Sequence, residues 1–264
     1  MRLGAELEVM AYGGKAANLS TALRYGLPVP EGFALSWSEV DDIATEMPRA
    51  AGALRADLAE MAYVPLAVRS SAVGEDSRVA SFAGQHLTVL NVIGDDAVLA
   101  AIRRVWQSGR DKAALAYRRR MAVADDPRIA VIVQHLVAAE VAGVLFTCDP
   151  VSGATDRWLI EASWGLGEAV VAGLVSPDLY IATPSGDLLE ARRGTKKVAV
   201  MPDAGGGTSQ RPTEGDNWCL DEAAVRELAG MGAACERLFG PGQDIEWAVA
   251  GGKTWLLQSR PITT

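Results

Sequence analysis

The sequence is poor in histidine and cysteine, and it has fewer basic than acidic residues. Of its 264 residues, two are histidine and three are cysteine. The cysteines form no close Cys-x-x-Cys pair and residues 1–19 do not resemble a secretory leader, so we expect reduced thiols in a cytoplasmic protein. The formal net charge is −8. Because binding to a nucleic-acid backbone needs an excess of Lys and Arg, we expect no nucleic-acid partner.

The sequence also lacks a long apolar run. The most apolar stretch, residues 129–146, is interrupted by Gln134, His135 and Glu140. A membrane-spanning helix needs about 20 predominantly apolar residues, so we expect no membrane span. Apolar residues nevertheless make up 49% of the chain, which is enough to form a substantial core.

Short apolar runs alternate with helix-period patterns along the chain. The runs, which are bounded by polar residues, Gly or Pro, predict strands at Leu66–Arg69, Ile129–Gln134, Val141–Thr147, Trp158–Glu161, Ile245–Val249 and Thr254–Gln258. The 3.6-residue period predicts helices at Lys15–Tyr25, Asp95–Met121 and Leu220–Phe239, with Asp95 as an N-cap. Residues 203–216 contain three consecutive glycines and indicate a flexible loop. The mixture predicts an α+β fold.

Gly13-Gly14-Lys15 stands at a predicted helix start. Two glycines let the backbone approach an anion, and a helix N-terminus favours negative charge. Lys15 could then contact a phosphate. The alternative is a simple loop-to-helix turn, which is more frequent for so short a motif.

Arg69 leaves a predicted buried strand into a segment of small residues. An arginine in this setting suits two-point contact with phosphate oxygens, because the small neighbours leave room for them. On spacing alone, an ion pair with Glu75 or Asp76 explains Arg69 equally well.

The last two predicted strands form the most informative pattern. A hairpin with a three-residue loop at Gly251–Lys253 pairs Glu246 with Gln258 and Asp244 with Arg260. Period-two alternation then places these four polar side chains on one face. The opposite face is expected to carry the apolar residues Ile245, Trp247, Val249, Trp255 and Leu257.

This polar face suits metal and phosphate binding. A carboxylate opposite a carboxamide oxygen provides hard ligands for a Mg²⁺ ion that also holds substrate phosphates, and a neighbouring arginine would neutralise phosphate charge. The alternative is a surface hairpin with a polar face and an ordinary Asp–Arg pair.

Two further segments have weaker signals. Residues 134–137 follow an apolar strand and could act as a hinge whose backbone meets an adenine edge, although such a strand is more often part of a core. Glu161–Glu168 is a glycine-containing loop with an acidic residue at each end, and a turn is its default interpretation.

Taken together and in order, five segments of the chain resemble the nucleotide-binding domain of the phosphoenolpyruvate synthase, pyruvate phosphate dikinase and rifampin phosphotransferase family. They are GGKAANLSTALRYGLPVPEGF, LAVRSSAVGEDSRVASFAGQHLTVLNV, VIVQHLVAAEVAGVLFTCDPVSG, IEASWGLGEAVVAGLVSPDLY and QDIEWAVAGGKTWLLQSRPIT. The resemblance covers nearly the whole chain.

The resemblance implies an ATP-grasp-like fold with ATP and Mg²⁺ in the cleft between two lobes, at about residues 1–130 and 131–264. For the phosphates of ATP, it implies contacts from Lys15, Arg69 and Arg260, and a covering loop that contains Gly84, Gln85 and Thr88. It implies that the adenine is bound by Gln134, His135, Leu136 and Val137. It implies that Mg²⁺ is bound by Glu246 and Gln258, with Asp244 in a supporting role.

The resemblance further implies transfer of the β-phosphate of ATP to a histidine on a separate domain, with release of AMP and phosphate. The chain contains no Gly-rich Ser-His-Ala setting around either His86 or His135. We therefore expect the phosphohistidine domain to lie on another protein or in a missing part of a longer one. The alternatives are a self-contained ATP-grasp kinase or ligase that forms ADP, and an ATP-sensing module without turnover.

Overall fold

A computed structural model describes residues 1–61, 64–73, 87–111, 127–214 and 216–262 of the chain. Its helices are α1 (Val9–Arg24), α2 (Trp37–Ala44), α3 (Pro48–Ala59), α4 (Asp95–Ser108), α5 (Glu168–Val171) and α6 (Glu222–Phe239). Its strands are β1 (Gly32–Leu35), β2 (Leu66–Ala72), β3 (Thr88–Val92), β4 (Ile129–His135), β5 (Val141–Phe146), β6 (Trp158–Trp164), β7 (Asp178–Ala182), β8 (Leu188–Arg192), β9 (Val198–Pro202), β10 (Thr208–Pro212), β11 (Gln243–Ala250) and β12 (Lys253–Pro261). The predicted α+β class is confirmed.

The chain divides into two compact units. Unit 1 comprises residues 1–21, 31–136 and 203–207, and unit 2 comprises residues 22–30, 137–202 and 208–264. The division of an ATP-binding fold into lobes at 1–130 and 131–264 stays a prediction.

Unit 1 is built on a four-stranded antiparallel sheet in the order β1-β4-β2-β3. One face of this sheet packs against helices α2 and α4, α3 packs on these two helices, and the core there includes Val68, Ile102 and Val131. Helix α2 begins with a reciprocal capping box, in which the Ser36 side chain accepts from the Glu39 N–H and the Glu39 carboxylate accepts from the Ser36 N–H. Helix α1 lies on the other face of the sheet, where Gly13 contacts Ser71 of β2.

Unit 2 is built on a six-stranded antiparallel sheet in the order β12-β11-β5-β6-β7-β8. Helix α6 packs on one face of it, with Val225, Leu228 and Cys235 buried. Helix and sheet approach closely at Gly232, where an added Cβ would lie 2.7 Å from the Trp158 ring. The opposite face of this sheet carries the polar pairs of β11 and β12.

A fully buried ion pair lies in unit 2. Lys196 and Asp178 have no exposed side-chain surface, and the Lys196 ammonium donates to the Asp178 carboxylate. The same carboxylate accepts from the Gly194 N–H at 2.8 Å and the Cys219 N–H at 2.9 Å. Burial alone would raise the pKa of Asp178, but these hydrogen bonds and the lysine charge outweigh it and lower the pKa.

The six predicted strands and three predicted helices are all present, with shifted ends. Gly94, not Asp95, occupies the N-cap position of α4, and Asp95 is the first helical residue. That helix ends at Ser108 within the described residues, and the predicted part from 112 to 121 lies outside them. No helix among the described residues has the length and apolar character needed to cross a membrane.

The flexible loop predicted at residues 203–216 is wrong at Thr208–Pro212, which form strand β10. Strand β10 pairs with β9 as an antiparallel hairpin, with residues 203–207 at its tip. The buried Asn91 side chain donates to the Asp203 carbonyl at 2.7 Å and to the Gly207 carbonyl at 2.6 Å. The glycines therefore form a fixed tight turn, with positive φ at Gly206 and Gly207.

Candidate functional site

The hairpin of β11 and β12 carries the candidate metal and phosphate ligands of unit 2. In its register, Glu246 is paired with Gln258 and Asp244 with Arg260. Residues directly opposite each other in an antiparallel pair point to the same face of the sheet. The predicted pairing of these four polar residues is confirmed.

The connection between the two strands differs from the predicted three-residue loop. Ala250 pairs with Lys253, so the turn has only two residues, Gly251 and Gly252, with φ of 59° and 70°. Positive φ at both central positions gives the backbone twist that suits a two-residue hairpin. A register shift between Glu246 and Trp247 makes Leu257 an extra residue. The shorter turn and the bulge cancel, so the polar pairs stay in register.

The bulge also changes which apolar residues reach the core. Ile245 and Trp247 are fully buried as predicted, but their neighbour on β12 is the fully buried Leu256. The prediction was wrong for Trp255, which pairs with Ala248 and so lies on the face of Glu246, and for Leu257, which is the extra residue of the bulge. Val249 lies on the predicted face and is half-buried. The Lys253 ammonium lies 3.7 Å from the centre of the Trp255 ring.

The Asp244–Arg260 pair fixes the orientation of the arginine. Nε and Nη2 of Arg260 donate to one carboxylate oxygen of Asp244, at 2.9 and 2.7 Å. The arginine side chain is 32% exposed, whereas that of Asp244 is 14% exposed. Burial and the charge of Glu246 raise the pKa of Asp244, although Arg260 acts in the opposite direction. The result is a guanidinium with a fixed plane and partial access from solvent.

Glu161 is a third acidic residue on this face. It was predicted at the end of a strand and the start of a loop, whereas β6 continues to Trp164. Glu246 pairs with Val144 on β5, and Val144 pairs with Glu161 on β6, so Glu161 and Glu246 share a sheet face. Burial, followed by the negative charge of Asp244, raises the pKa of Glu161. Only the cross-strand register could have revealed this residue.

Ser163 lies two residues further along β6 and therefore on the same face as Glu161. Its hydroxyl is buried and has no hydrogen-bond partner within the described part of the chain. The face thus combines acidic, amide, guanidinium and hydroxyl groups.

The donor set fits Mg²⁺. One carboxylate and one carboxamide oxygen are hard ligands, and Mg²⁺ commonly uses one or two carboxylates together with water and substrate phosphates. Within the described ranges, no group of three or more His, Cys, Asp and Glu side chains could hold a metal on its own. A metal at Glu246 and Gln258 would therefore depend on a phosphate ligand.

In unit 1, Arg69, Thr88 and Gln134 lie on one face of the four-stranded sheet. Arg69 pairs with Thr88 on β3 and with Ile132 on β4, two residues before Gln134. This is the face opposite the hydrophobic core that contains Val68. Arg69 and Gln134 are both buried, with 8% and 3% of their surface exposed.

Lys15 belongs to the helix on this same face. Its helix α1 lies against β2 at Gly13, where an added Cβ would be 2.1 Å from the Ser71 carbonyl oxygen. Gly13 has non-helical φ and ψ of 76° and 164°, so a helical segment begins immediately after it, as predicted for Gly13-Gly14-Lys15. Lys15 is 5% exposed.

The candidate adenine segment follows directly from β4. The His135 N–H donates to the Glu31 carbonyl and the Leu136 N–H to the Pro65 carbonyl, both at 2.9 Å. The Val137 carbonyl accepts from the Ala139 N–H at 2.8 Å. The chain is therefore well fixed here, and the contact of residues 134–137 with adenine stays a prediction. Gly84 and Gln85, predicted to cover the phosphates, lie outside the described residues, as do Glu75, Asp76 and His86.

Comparison with known proteins shows which family this chain matches. The family described as "Pyruvate phosphate dikinase, AMP/ATP-binding domain" matches residues 38–264. A probable phosphoenolpyruvate synthase from Methanothermobacter thermautotrophicus is 36% identical, over 96% of this chain and 44% of its own length. A rifampicin phosphotransferase from Streptomyces sviceus is 34% identical, over 98% of this chain and 35% of its own length. The chain thus spans less than half of these relatives.

A solved structure with a weaker likeness is that of D-alanine–D-alanine ligase from Bacillus anthracis complexed with ATP. It is 10% identical, the match covers 93% of this chain and 54% of that chain, and the TM-score is 0.40.

Proposed function

Because the chain belongs to the pyruvate phosphate dikinase AMP/ATP-binding domain family, we propose that it binds Mg²⁺-ATP and supplies the ATP-binding part of a phosphotransferase. The observation that carries this proposal is the side-by-side pairing of Glu246 with Gln258 and of Asp244 with Arg260 on one sheet face. Metal ligands next to an oriented guanidinium are what a transferring phosphoryl group requires.

Each unit carries some of the residues in the proposed set. Unit 2 supplies Glu246, Gln258 and Arg260, supported by Asp244. Unit 1 supplies Lys15 and Arg69 for the phosphates, with Thr88 beside Arg69. Residues 134–137 hold the adenine, and Gly84 and Gln85 cover the phosphates.

The reaction we propose transfers the β-phosphate of ATP to a histidine of a phosphohistidine domain. ATP, water and the histidine give AMP, inorganic phosphate and phosphohistidine, so the bonds on both sides of the β-phosphorus are broken. The acceptor histidine lies on a separate protein or in a further part of a longer chain, since the relatives are more than twice as long as the matched region. We place the reaction in the cytoplasm.

The task of these residues is to orient ATP and to neutralise charge. Arg260 offers N–H donors in a plane fixed by Asp244, and charge-assisted contacts of this kind are strong and directional. Lys15 and Arg69 add positive charge in surroundings that exclude water, because both side chains are buried. Bound Mg²⁺ would further reduce the repulsion between phosphate oxygens.

Chromatography of the nucleotide products tests this function. The chain is incubated with Mg²⁺-ATP, with and without a phosphohistidine domain from a relative. We expect AMP and phosphate only when that domain is present. ADP formed without the domain would contradict the proposal in favour of a self-contained kinase or ligase. ATP binding without any product in either reaction would contradict phosphotransfer and favour a sensing module.

A further inference from the structure

Helix α1 is interrupted at Gly13, where strand β2 runs directly against it. Gly13 has φ of 76° and ψ of 164°, so helical geometry stops at Tyr12 and resumes after Gly13. An added Cβ at Gly13 would lie 2.1 Å from the Ser71 carbonyl oxygen and 2.5 Å from the Ser71 hydroxyl oxygen. The interruption therefore requires glycine, and Ser71 is its immediate neighbour.

The hydroxyl of Ser71 binds both ends of this interruption. Ser71 Oγ accepts a hydrogen bond from the Ala16 N–H at 3.0 Å and donates one to the Tyr12 carbonyl at 2.7 Å. Ser71 is fully buried, so water does not substitute for these bonds. One side chain thus satisfies the last carbonyl before the break and an N–H group after it.

This arrangement is a helix cap supplied from another element. A capping serine normally precedes its own helix and accepts from the N–H of the second or third helical residue. Gly13 stands at that position and has no side chain, while Ala16 is the third residue after it. Ser71 therefore performs from β2 the capping that the local sequence of α1 does not provide.

Lys15 lies inside the turn that Ser71 caps. It follows Gly14 and precedes Ala16, so its backbone is fixed between Tyr12 and Ala16, both of which bind Ser71. Ser71 also lies two residues after Arg69 on β2, and the two residues share a sheet face. The same strand thus carries one proposed phosphate ligand and the cap for the other.

We infer that Ser71 is a positioning residue for Lys15, and that it sets where the lysine ammonium meets the ATP phosphates. This inference rests on the proposed function, which assigns Lys15 to those phosphates. Without the hydroxyl, the buried Ala16 N–H and the carbonyl of the half-buried Tyr12 lose their partner, and an unsatisfied buried group destabilises its surroundings. The turn then relaxes toward other conformations, and Lys15 moves with it.

The test compares binding of Mg²⁺-ATP with binding of adenosine by titration calorimetry. Adenosine lacks the phosphates that Lys15 contacts, so the ratio of the two affinities isolates the phosphate contribution. We expect Ser71→Ala to weaken ATP binding roughly tenfold while adenosine binding changes less than about twofold. An unchanged ratio would overturn the inference.

Ser20→Ala is the matched control. Ser20 is also buried, its hydroxyl accepts from the Gly4 N–H at 2.8 Å, and it donates to the Ala5 carbonyl. The substitution removes the same kinds of hydrogen bond, one from a backbone N–H and one to a backbone carbonyl, and Ser20 itself lies on α1. We expect a comparable loss of thermal stability and an unchanged ratio of ATP to adenosine affinity. If the ratio fell as much in Ser20→Ala as in Ser71→Ala, the effect of Ser71 on binding would come from general stability. That result would contradict the inference.

A double substitution separates action through Lys15 from other effects. In a Lys15→Ala background, Ser71→Ala should produce no further change in the affinity ratio, because the group that it positions is gone. A full additional loss would contradict the inference.

If Ser71→Ala does not fold, hydrogen exchange of the Ala16 amide in the unaltered chain tests the inference without that variant. In the unaltered chain this amide should exchange as slowly as the core amides of β2, because Ser71 holds it. Fast exchange would overturn the inference. Failure of the proposed function has a different signature, namely an unaltered chain that binds ATP no better than adenosine.

Discussion

Arg260 donates two hydrogen bonds, from Nε and Nη2, to a single carboxylate oxygen of Asp244 across the β11–β12 ladder. This contact holds the plane of the guanidinium while about one third of the arginine side chain stays exposed. The arginine is therefore oriented before any ligand binds, which lowers the entropic penalty of binding an anion.

Arg260→Lys tests the importance of that orientation. Lysine keeps the positive charge but offers a point charge in place of a planar set of donors. We expect the rate of phosphoryl transfer to fall by about 10²-fold, since removing one oriented donor at a reacting group typically has this effect. Single-turnover formation of phosphohistidine measures it. Arg192→Lys, at an exposed pair with Glu190, is the control and should leave the rate unchanged. A normal rate in Arg260→Lys would remove Arg260 from the transfer step.

Glu246→Gln tests the metal site. The substitution retains the size of the side chain and removes the negative charge that attracts Mg²⁺. We expect the Mg²⁺ concentration for half-maximal ATP binding to rise by about tenfold, as is usual when a metal contact is weakened. Glu190→Gln applies the same chemical change to an exposed residue of β8 and should have no effect. An unchanged Mg²⁺ requirement in Glu246→Gln would place the metal elsewhere.

Asp244→Asn should lower the pKa of Glu161. Burial is the main reason why this pKa is raised, and the negative charge of Asp244 raises it further. Removing that charge takes away the second of these two causes, so the pKa should fall toward its ordinary value. Carboxyl carbon NMR titration of Glu161 measures the shift, and an unchanged or higher pKa would contradict the proximity of the two residues.

Asp178→Asn should change the acid stability of the protein. The pKa of Asp178 is lower in the folded chain than its ordinary value of about 3.9, so its ionised form stabilises the fold at neutral pH. This stabilisation is complete above the unfolded pKa and is lost as pH falls through the folded pKa. The gap in unfolding free energy between the original chain and Asp178→Asn should therefore stay constant above about pH 5 and shrink below about pH 4. Urea unfolding at several pH values measures it, and a gap independent of pH would contradict the ion pair.

The sequence located the main strands because their apolar character is strong and their boundaries carry clear turn residues. It also placed Glu246 opposite Gln258 correctly, but for an incomplete reason. The two-residue turn at Gly251 and Gly252 and the bulge at Leu257 are two departures from the expected hairpin that cancel at the polar pairs. A bulge depends on packing against neighbouring elements, which a local pattern does not contain.

Other features could not be predicted because they depend on contacts between distant segments. Residues 203–207 have the composition of a loop, but the Asn91 side chain, more than 100 positions earlier, fixes them as a turn. Glu161 joins the candidate site only through the register of β5 and β6. Ser71 caps a helix to which it is not connected in sequence. The residue roles in ATP binding themselves stay predictions that the variants above test.

Transfer from position-labelled ATP tests the central claim most directly. The chain is incubated with a phosphohistidine domain, Mg²⁺ and ATP that carries ³²P at either the β- or the γ-phosphate. After free phosphate is removed, the label that remains bound to the domain is measured. We expect bound label that acid releases when the β-phosphate is labelled, and no bound label when the γ-phosphate is labelled. A label that comes only from the γ-phosphate, or that stays absent with both although ATP is bound, would contradict the account.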